Sequence, residues 1–295
     1  MTLADRLRGG IDHGASAGGL RFNVLGFLEI LRDGRPCPPM PPKQRALVAI
    51  LLLHANQVLT TDVIIDLLWS TRPPRSAAAA LQMHVSGARR ALTGASADPR
   101  RHPVLRTESH GYAIRLGRGQ LDLSEFRSLA RAGNERLAEG RCAEAGAAFD
   151  SALGLWRGRA VADIAGVLDS YTVHLDEQRL TVLQQRVSVG LCQGRVLSIL
   201  DELVELCARH PLREDLHQQL MVAFARLGRT ADALRAYTRL RRTMIAEAGL
   251  EPGPAVRAAH DAVLRGAHPA DPVHTCVARG FDAARRDTPI GGARR

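Results

Sequence analysis

Apolar positions change period several times along the first part of the chain. The run Arg21-Phe-Asn-Val-Leu-Gly-Phe-Leu-Glu-Ile-Leu31 predicts two short strands broken at Gly26, and Asp33-Gly34 is a hairpin-turn signal. Pro36-Cys-Pro-Pro-Met-Pro-Pro42 excludes a helix and a central strand, while its last Pro suits a first helical turn. Ala46–Leu53 is apolar on every side, so a buried helix is predicted over Lys43–Ala55, closed by Asn56. Thr60-Thr61-Asp62 caps a second helix, with Val63, Ile64, Leu67 and Leu68 at helical spacing and Trp69 at its end. Pro73-Pro74 forces an extended link.

A third helix is predicted over about Arg75–Leu92. Its apolar residues Leu81, Val85, Ala88 and Leu92 lie within about 60° of one another at ~100° per residue. The opposite face carries Ser76, Ala79, Met83, Ser86, Gly87 and Arg90, with Gln82 and Arg89 on one flank. Small residues there permit close approach, and Arg and Gln read base edges, which suits a helix laid in a DNA major groove. An ordinary amphipathic surface helix has the same pattern. After the loop Asp98-Pro-Arg-Arg-His-Pro103, the runs Val104–Thr107 and Tyr112–Leu116 predict a hairpin around Glu108-Ser-His-Gly111. Strands, three helices and a hairpin, in that order, define a helix-turn-helix with a β-wing.

Residues 120–265 alternate helical patterns with short turns and show no strand signal. Gly140-Arg-Cys-Ala-Glu-Ala145 recurs as Gly228-Arg-Thr-Ala-Asp-Ala233, each followed by an aromatic residue, Phe149 or Tyr237. Gly194-Arg195 begins a degenerate copy 34 residues before Gly228, the tetratricopeptide period, and Pro211 sits where such a repeat ends. The 54 residues from Gly140 to Gly194 exceed that period by 20, so something is inserted. The predicted fold class is mainly α: an N-terminal winged helix (α+β) followed by an all-α tetratricopeptide-like array.

Composition narrows the function. The chain has 295 residues, 45% hydrophobic and 24% charged, enough for about two domains. Of 40 basic residues only Lys43 is lysine, and it follows Pro41-Pro42. That position excludes a phosphate-binding loop and leaves kinase and Schiff-base chemistry without a suitable lysine. Charge is uneven: residues 20–119 hold 14 basic and 6 acidic side chains, and residues 120–265 hold 19 of each. A basic module beside a neutral one is the electrostatic footprint of nucleic-acid binding, although a cationic surface has other causes. Five scattered cysteines (Cys37, Cys142, Cys192, Cys207, Cys276) with no C-x-x-C point to a reducing compartment. The N-terminus has no signal-peptide core, and the longest apolar run, eight residues, does not span a bilayer, so a cytoplasmic protein is expected.

In combination and order, several short runs resemble the Streptomyces antibiotic regulatory protein (SARP) family. They are Pro42-Lys-Gln-Arg-Ala-Leu47, Leu67-Leu-Trp69 with Pro73-Pro74, Ala80-Leu-Gln-Met-His-Val-Ser86, Arg89-Arg90-Ala-Leu92 and Gly111-Tyr112. They are similar to its OmpR-type winged-helix domain. Leu121-Asp122 with Phe126, Ala152-Leu-x-Leu-Trp156-Arg-Gly158, His210-Pro211-Leu-Arg-Glu214 and Gly249-Leu-Glu-Pro-Gly-Pro254 are similar to the bacterial transcriptional activator domain that follows it. The resemblance implies a leader over 1–19, a DNA-binding domain over 20–118, an activator domain over 119–266 and a disordered tail over 267–295. It implies a DNA-binding transcriptional activator, not an enzyme, with no cofactor or metal. Its partners would be direct-repeat duplex DNA, RNA polymerase holoenzyme with its sigma factor, and further copies of itself, at the nucleoid and not at a membrane. The regulated genes would be a secondary-metabolite (antibiotic) cluster. Lys43, Arg75 and Arg106 would anchor phosphates. Gln82, Met83, Ser86, Arg89 and Arg90 would face bases or backbone, with Arg45, Ser76, Thr107, His110 and Tyr112 completing the surface. Family members usually carry a basic residue where this chain has Gly87, which suggests a missing groove contact.

Two rival readings remain at this point. Gly87 motivates a helical-repeat scaffold that has lost DNA binding. Gly14-Ala-Ser-Ala-Gly18 matches the nucleophile-elbow pattern and would make Ser16 a hydrolase nucleophile, but it lacks the required strand and helix. The dispersed histidines give no metal-ligand spacing, and Asp201, Glu202 and Glu205 form an acidic stretch of the kind usually solvated.

Overall fold

The computed structural model describes residues 19–70, 73–93, 103–164, 166, 168–267 and 269. The leader with its Ser16 motif, the loop after the third helix, Cys276 and nearly all of the tail lie outside the described residues. The chain forms two compact units. The first takes in residues up to Ser128 together with Gly154–Gln178, and the second takes in Leu129–Leu153 and everything from Arg179.

The first unit opens with a three-stranded antiparallel sheet in the order β1 (Leu20–Asn23), β2 (Glu29–Arg32), β3 (Arg35–Pro36). The register pairs Leu20 with Arg32 and Asn23 with Glu29. The proline run permits only a two-residue edge strand, Arg35–Pro36. Helix α1 (Pro42–Leu53) places Pro in its first turn, and Ala46 to Leu52 are all buried, as the unbroken apolar run requires. A short strand β4 (Leu59–Thr60), absent from the sequence reading, precedes α2 (Thr61–Trp69), whose Thr60 side chain accepts the Val63 amide. Helix α3 (Ala77–Thr93) packs on α1 and α2. Strands β5 (Leu105–Glu108) and β6 (Gly111–Ile114) form the wing, and β4 joins β6 in a second three-stranded sheet. A Cβ on Gly111 would stand 1.8 Å from the Leu59 carbonyl oxygen, so only glycine allows β4 and β6 to pair there.

Helix α4 (Asp122–Ala138) begins in the first unit, and its buried Asp122 carboxylate accepts the backbone amides of Val24 at 2.8 and 3.0 Å and Leu25 at 3.0 Å. Arg157 donates to the same carboxylate at 3.2 Å. The segment after α5 (Cys142–Leu153) returns to this loop. The Arg157 amide donates to Leu25 O at 2.7 Å, Val161 to Val24 O at 2.9 Å, and Leu28 donates to the Asp163 carboxylate at 2.8 Å. Trp156 meets Phe126 edge-on at 5.4 Å. The Trp156-Arg-Gly158 motif is therefore a clasp on the first unit. The insertion signalled by the excess repeat spacing falls within residues 154–178, which cluster with the first unit.

The second unit contains α5, the later part of α6 (Asp169–Cys192), then α7 (Val196–Arg209), α8 (Glu214–Arg226), α9 (Thr230–Ala248) and α10 (Pro254–Leu264). Helix α8 packs on α7, α9 and α10, and every residue from Leu216 to Phe224 is buried. The core runs through Leu203, Leu216, Met221, Leu240 and Val256. Gly140, Gly194 and Gly228 adopt φ of 77°, 71° and 71°. The arginine after each donates its amide back to the preceding helix, at Arg136, Gly190 and Phe224 O respectively, each at 2.9 Å. These are Schellman ends, in which left-handed glycine closes one helix and turns the chain into the next. Phe149 fills the space facing Gly133, where a Cβ would come within 2.4 Å of the ring. Among the described residues, no helix is long and apolar enough to cross a membrane, and no His/Cys/Asp/Glu group is arranged to hold a metal.

Candidate nucleic-acid interface

Helix α3 divides cleanly. Leu81, Val85, Ala88 and Leu92 are buried, and Ala79, Gln82, Met83, Ser86 and Arg90 are exposed. At ~100° per residue the exposed set covers about 100° of the helix. Met83 is 61% exposed and gives this face an apolar side chain. Helix α3 contains no acidic residue. Arg75 and Ser76, just before the helix, are exposed, as are Arg106, Thr107 and His110 on the wing.

The residues bordering this face serve other ends. Arg89 is buried, with Nε donating to Leu105 O at 3.1 Å and Nη2 to Thr107 Oγ1 at 2.7 Å. Burial pushes its guanidinium below the usual value, opposed by Tyr112. A guanidinium still keeps its charge under such burial. Arg89 thus fastens the wing to α3 and does not face a base. Gly87 is likewise buried, not groove-facing: a Cβ would stand 2.3 Å from the Gln44 amide nitrogen on α1. The Gln44 side chain of α1 covers the glycine there. The sequence placed Gly87 on the outer face because an ideal helical wheel contains no neighbouring helix.

Three further candidates point inward. Lys43 Nζ donates to Leu68 O at 2.5 Å and lies 5.7 Å from the Trp69 ring centroid, so it caps the end of α2. Arg45 donates to Leu28 O at 2.8 Å and pairs with Asp163. Tyr112 is buried where β6 pairs with β4 and β5. His84 lies against Trp69, with ring centroids 6.0 Å apart, and burial and then Lys43 lower its basicity.

The base of the wing is held by Asn56, read from the sequence only as the close of the first helix, and by Arg115, which the sequence reading did not single out. Asn56, at φ 69°, accepts the Leu116 amide through Oδ1 at 2.8 Å and donates through Nδ2 to Leu116 O at 3.2 Å. Arg115 donates to Asn56 O at 2.6 Å and pairs with Glu108 at 3.0 Å. The available signal was a lone Asn after a helix, a residue that tolerates left-handed backbone.

A winged helix with an acid-free exposed helix face, joined to a tetratricopeptide-like helical array, defines the architecture of a two-domain bacterial transcription regulator. Comparison with known proteins agrees. Residues 36–114 match the family described as "Transcriptional regulatory protein, C terminal", and residues 121–264 match "Bacterial transcriptional activator domain". The chain is 37% identical over 251 residues to the regulatory protein DnrI of Streptomyces peucetius, covering 83% of this chain and 92% of DnrI. It is 38% identical to the regulatory protein AfsR of Streptomyces coelicolor over 84% of this chain but only 24% of AfsR. Among solved structures, Mycobacterium tuberculosis EmbR in complex with a low-affinity phosphopeptide matches with a TM-score of 0.81 and 32% identity, over 94% of this chain and 73% of that one. The chain belongs to the SARP family of transcriptional regulators, and it is a regulator of transcription, not an enzyme.

Proposed function

We propose that the protein is a transcriptional activator that lays α3 in the major groove of duplex DNA and sets its wing against the backbone. The observation that carries this reading is the acid-free exposed stripe of α3, flanked by Arg75 and Ser76 before it and by Arg106, Thr107 and His110 on the wing. Gln82 and Arg90 supply base-edge hydrogen bonding, and Met83 and Ala79 supply apolar contact for a thymine methyl. Arg75 and Arg106 meet phosphates. The protein binds direct repeats upstream of promoters, in side-by-side copies, recruits RNA polymerase holoenzyme with its sigma factor, and switches on a secondary-metabolite gene cluster from the cytoplasmic nucleoid. The module boundaries proposed for these roles are 20–118 for DNA binding and 119–266 for activation.

Footprinting and gel shifts on promoters of the neighbouring cluster test this reading. Arg90→Ala should weaken specific binding by about 1–3 kcal/mol if it grips a guanine. Arg106→Ala should weaken binding on all sequences alike and flatten the salt dependence by about one unit. Absence of protection at low salt would leave the helical-scaffold reading in its place.

A further inference from the structure

Cys142 and Cys192 bring their sulfurs to 3.5 Å, in the second unit. Cys142 is the first residue of α5 and Cys192 the last of α6, and both are half-buried thiols not joined by a disulfide. Both line a shallow surface depression with Gly140, Arg141, Glu144 and Gln193, so a small solute reaches them. Repeat packing does not demand cysteine at these places. Cys142 stands two residues after the turn glycine Gly140, and Cys192 two before the turn glycine Gly194. One repeat on, the same register positions around Gly194 and Gly228 hold Val196 and Arg226. The helix ends therefore tolerate quite different side chains, and here alone the register puts two thiols together. Of the other described thiols, Cys207 is buried, which pushes it up to about 12, and Cys37 is half-buried, raised by burial and far from both along the chain.

We propose that Cys142 and Cys192 are an oxidisable dithiol, a modification site whose co-substrate is a small hydroperoxide. One thiolate attacks the distal peroxide oxygen, the O–O bond breaks, and water or an alcohol leaves, giving a sulfenic acid. The second thiol attacks that sulfur, the S–O bond breaks, a second water leaves, and the disulfide forms. The two sulfurs supply the two electrons that the peroxide accepts. The sulfurs are in van der Waals contact, so closure needs side-chain rotation and a small adjustment of two helix ends. Along the chain the bond closes a loop that contains residues 154–178 and joins the first residue of α5 to the last of α6.

The test treats the full-length reduced chain with one equivalent of hydrogen peroxide, then blocks free thiols and maps peptides by mass. The expected product is a Cys142–Cys192 cross-linked peptide, lighter by about 2 Da than its reduced parts and restored by dithiothreitol, with Cys37 alkylated in the folded chain and the buried Cys207 only after unfolding. The oxidised chain should melt about 5 °C higher than the reduced one. Cys192→Ser should leave a sulfenic acid on Cys142 that dimedone traps. Oxidation to sulfinic acid without the cross-linked peptide, or cross-links only between chains, would overturn the proposal. Because the readout is a mass, it is independent of DNA binding.

Discussion

The two units use arginine in different proportions, backbone carbonyls being the more frequent acceptors in the first than in the second. In the first, several arginines donate to backbone carbonyls, Arg32 to Thr93 O, Arg45 to Leu28 O, Arg89 to Leu105 O and Arg115 to Asn56 O, and of these Arg45 and Arg115 also pair with Asp163 and Glu108. In the second, they pair with carboxylates: Arg186 with Glu202, Arg209 with Glu205, Arg229 and Arg235 with Asp232, and Arg241 with Glu251. The cause is supply. The front segment has 6 acids for 14 bases, while the rear has equal numbers. Carbonyls position a guanidinium without neutralising it, so Arg32 and Arg89 still add to the positive field of the front segment although they are structurally committed. Net charge thus reports the field a phosphate backbone would feel and overstates the number of side chains free to touch it.

The comparison extends to what holds each unit, and it can be broken in stages. The first unit depends on a few polar bonds between chain-distant residues. Asp122→Ala leaves the Val24 and Leu25 amides and Arg157 without their acceptor, and should cost about 3–5 kcal/mol. Thermal or urea unfolding measures it; a loss no larger than a surface substitution gives would remove the contrast. The second unit depends on an apolar core with one titrating weakness. His217 is buried, and burial, then Arg239, lowers it to about 4. The unfolded chain takes up this proton near pH 6.5. Its contribution is therefore complete above that pH and is lost as pH falls towards 4, a loss of about 3 kcal/mol. His217→Leu should flatten that part of the stability profile, and an unchanged profile would sink the assignment.

Smaller effects sharpen the same contrast. Gly133→Ala forces a methyl against the buried Phe149 ring and should cost about 1–3 kcal/mol. Gly87→Ala meets only the end of the flexible Gln44 side chain, which can swing aside, while the helix gains about 1 kcal/mol of propensity. Its net effect on unfolding should stay within about 1 kcal/mol, and specific DNA affinity should not fall. A tenfold loss of affinity would return Gly87 to the groove face.

Much of the architecture was legible along the chain, because its causes are local. The apolar block Ala46–Leu53, the Thr60 cap, the stripe of Leu81, Val85, Ala88 and Leu92, and the turn glycines each act through neighbours within a helical turn or two. Strand β4 was missed because two residues carry no period to read; the strand exists only because β6 pairs with it. The excess spacing between Gly140 and Gly194 signalled an insertion, but not that Trp156, Arg157 and Asp163 would clasp the loop at Val24–Leu28.

The sequence by itself determined the class of regulator, the order of its elements and the outward stripe of α3 from Ala79 to Arg90. Those depend on composition and on periodicities the backbone imposes. Which cations are available was settled only in the tertiary structure. Lys43, Arg45 and Arg89 read as interface residues in one dimension, yet each meets an acceptor on a different element, namely Leu68, Asp163 and Leu105. A long cationic side chain takes the nearest buried oxygen that needs a donor, and that oxygen's position is a property of the packed chain.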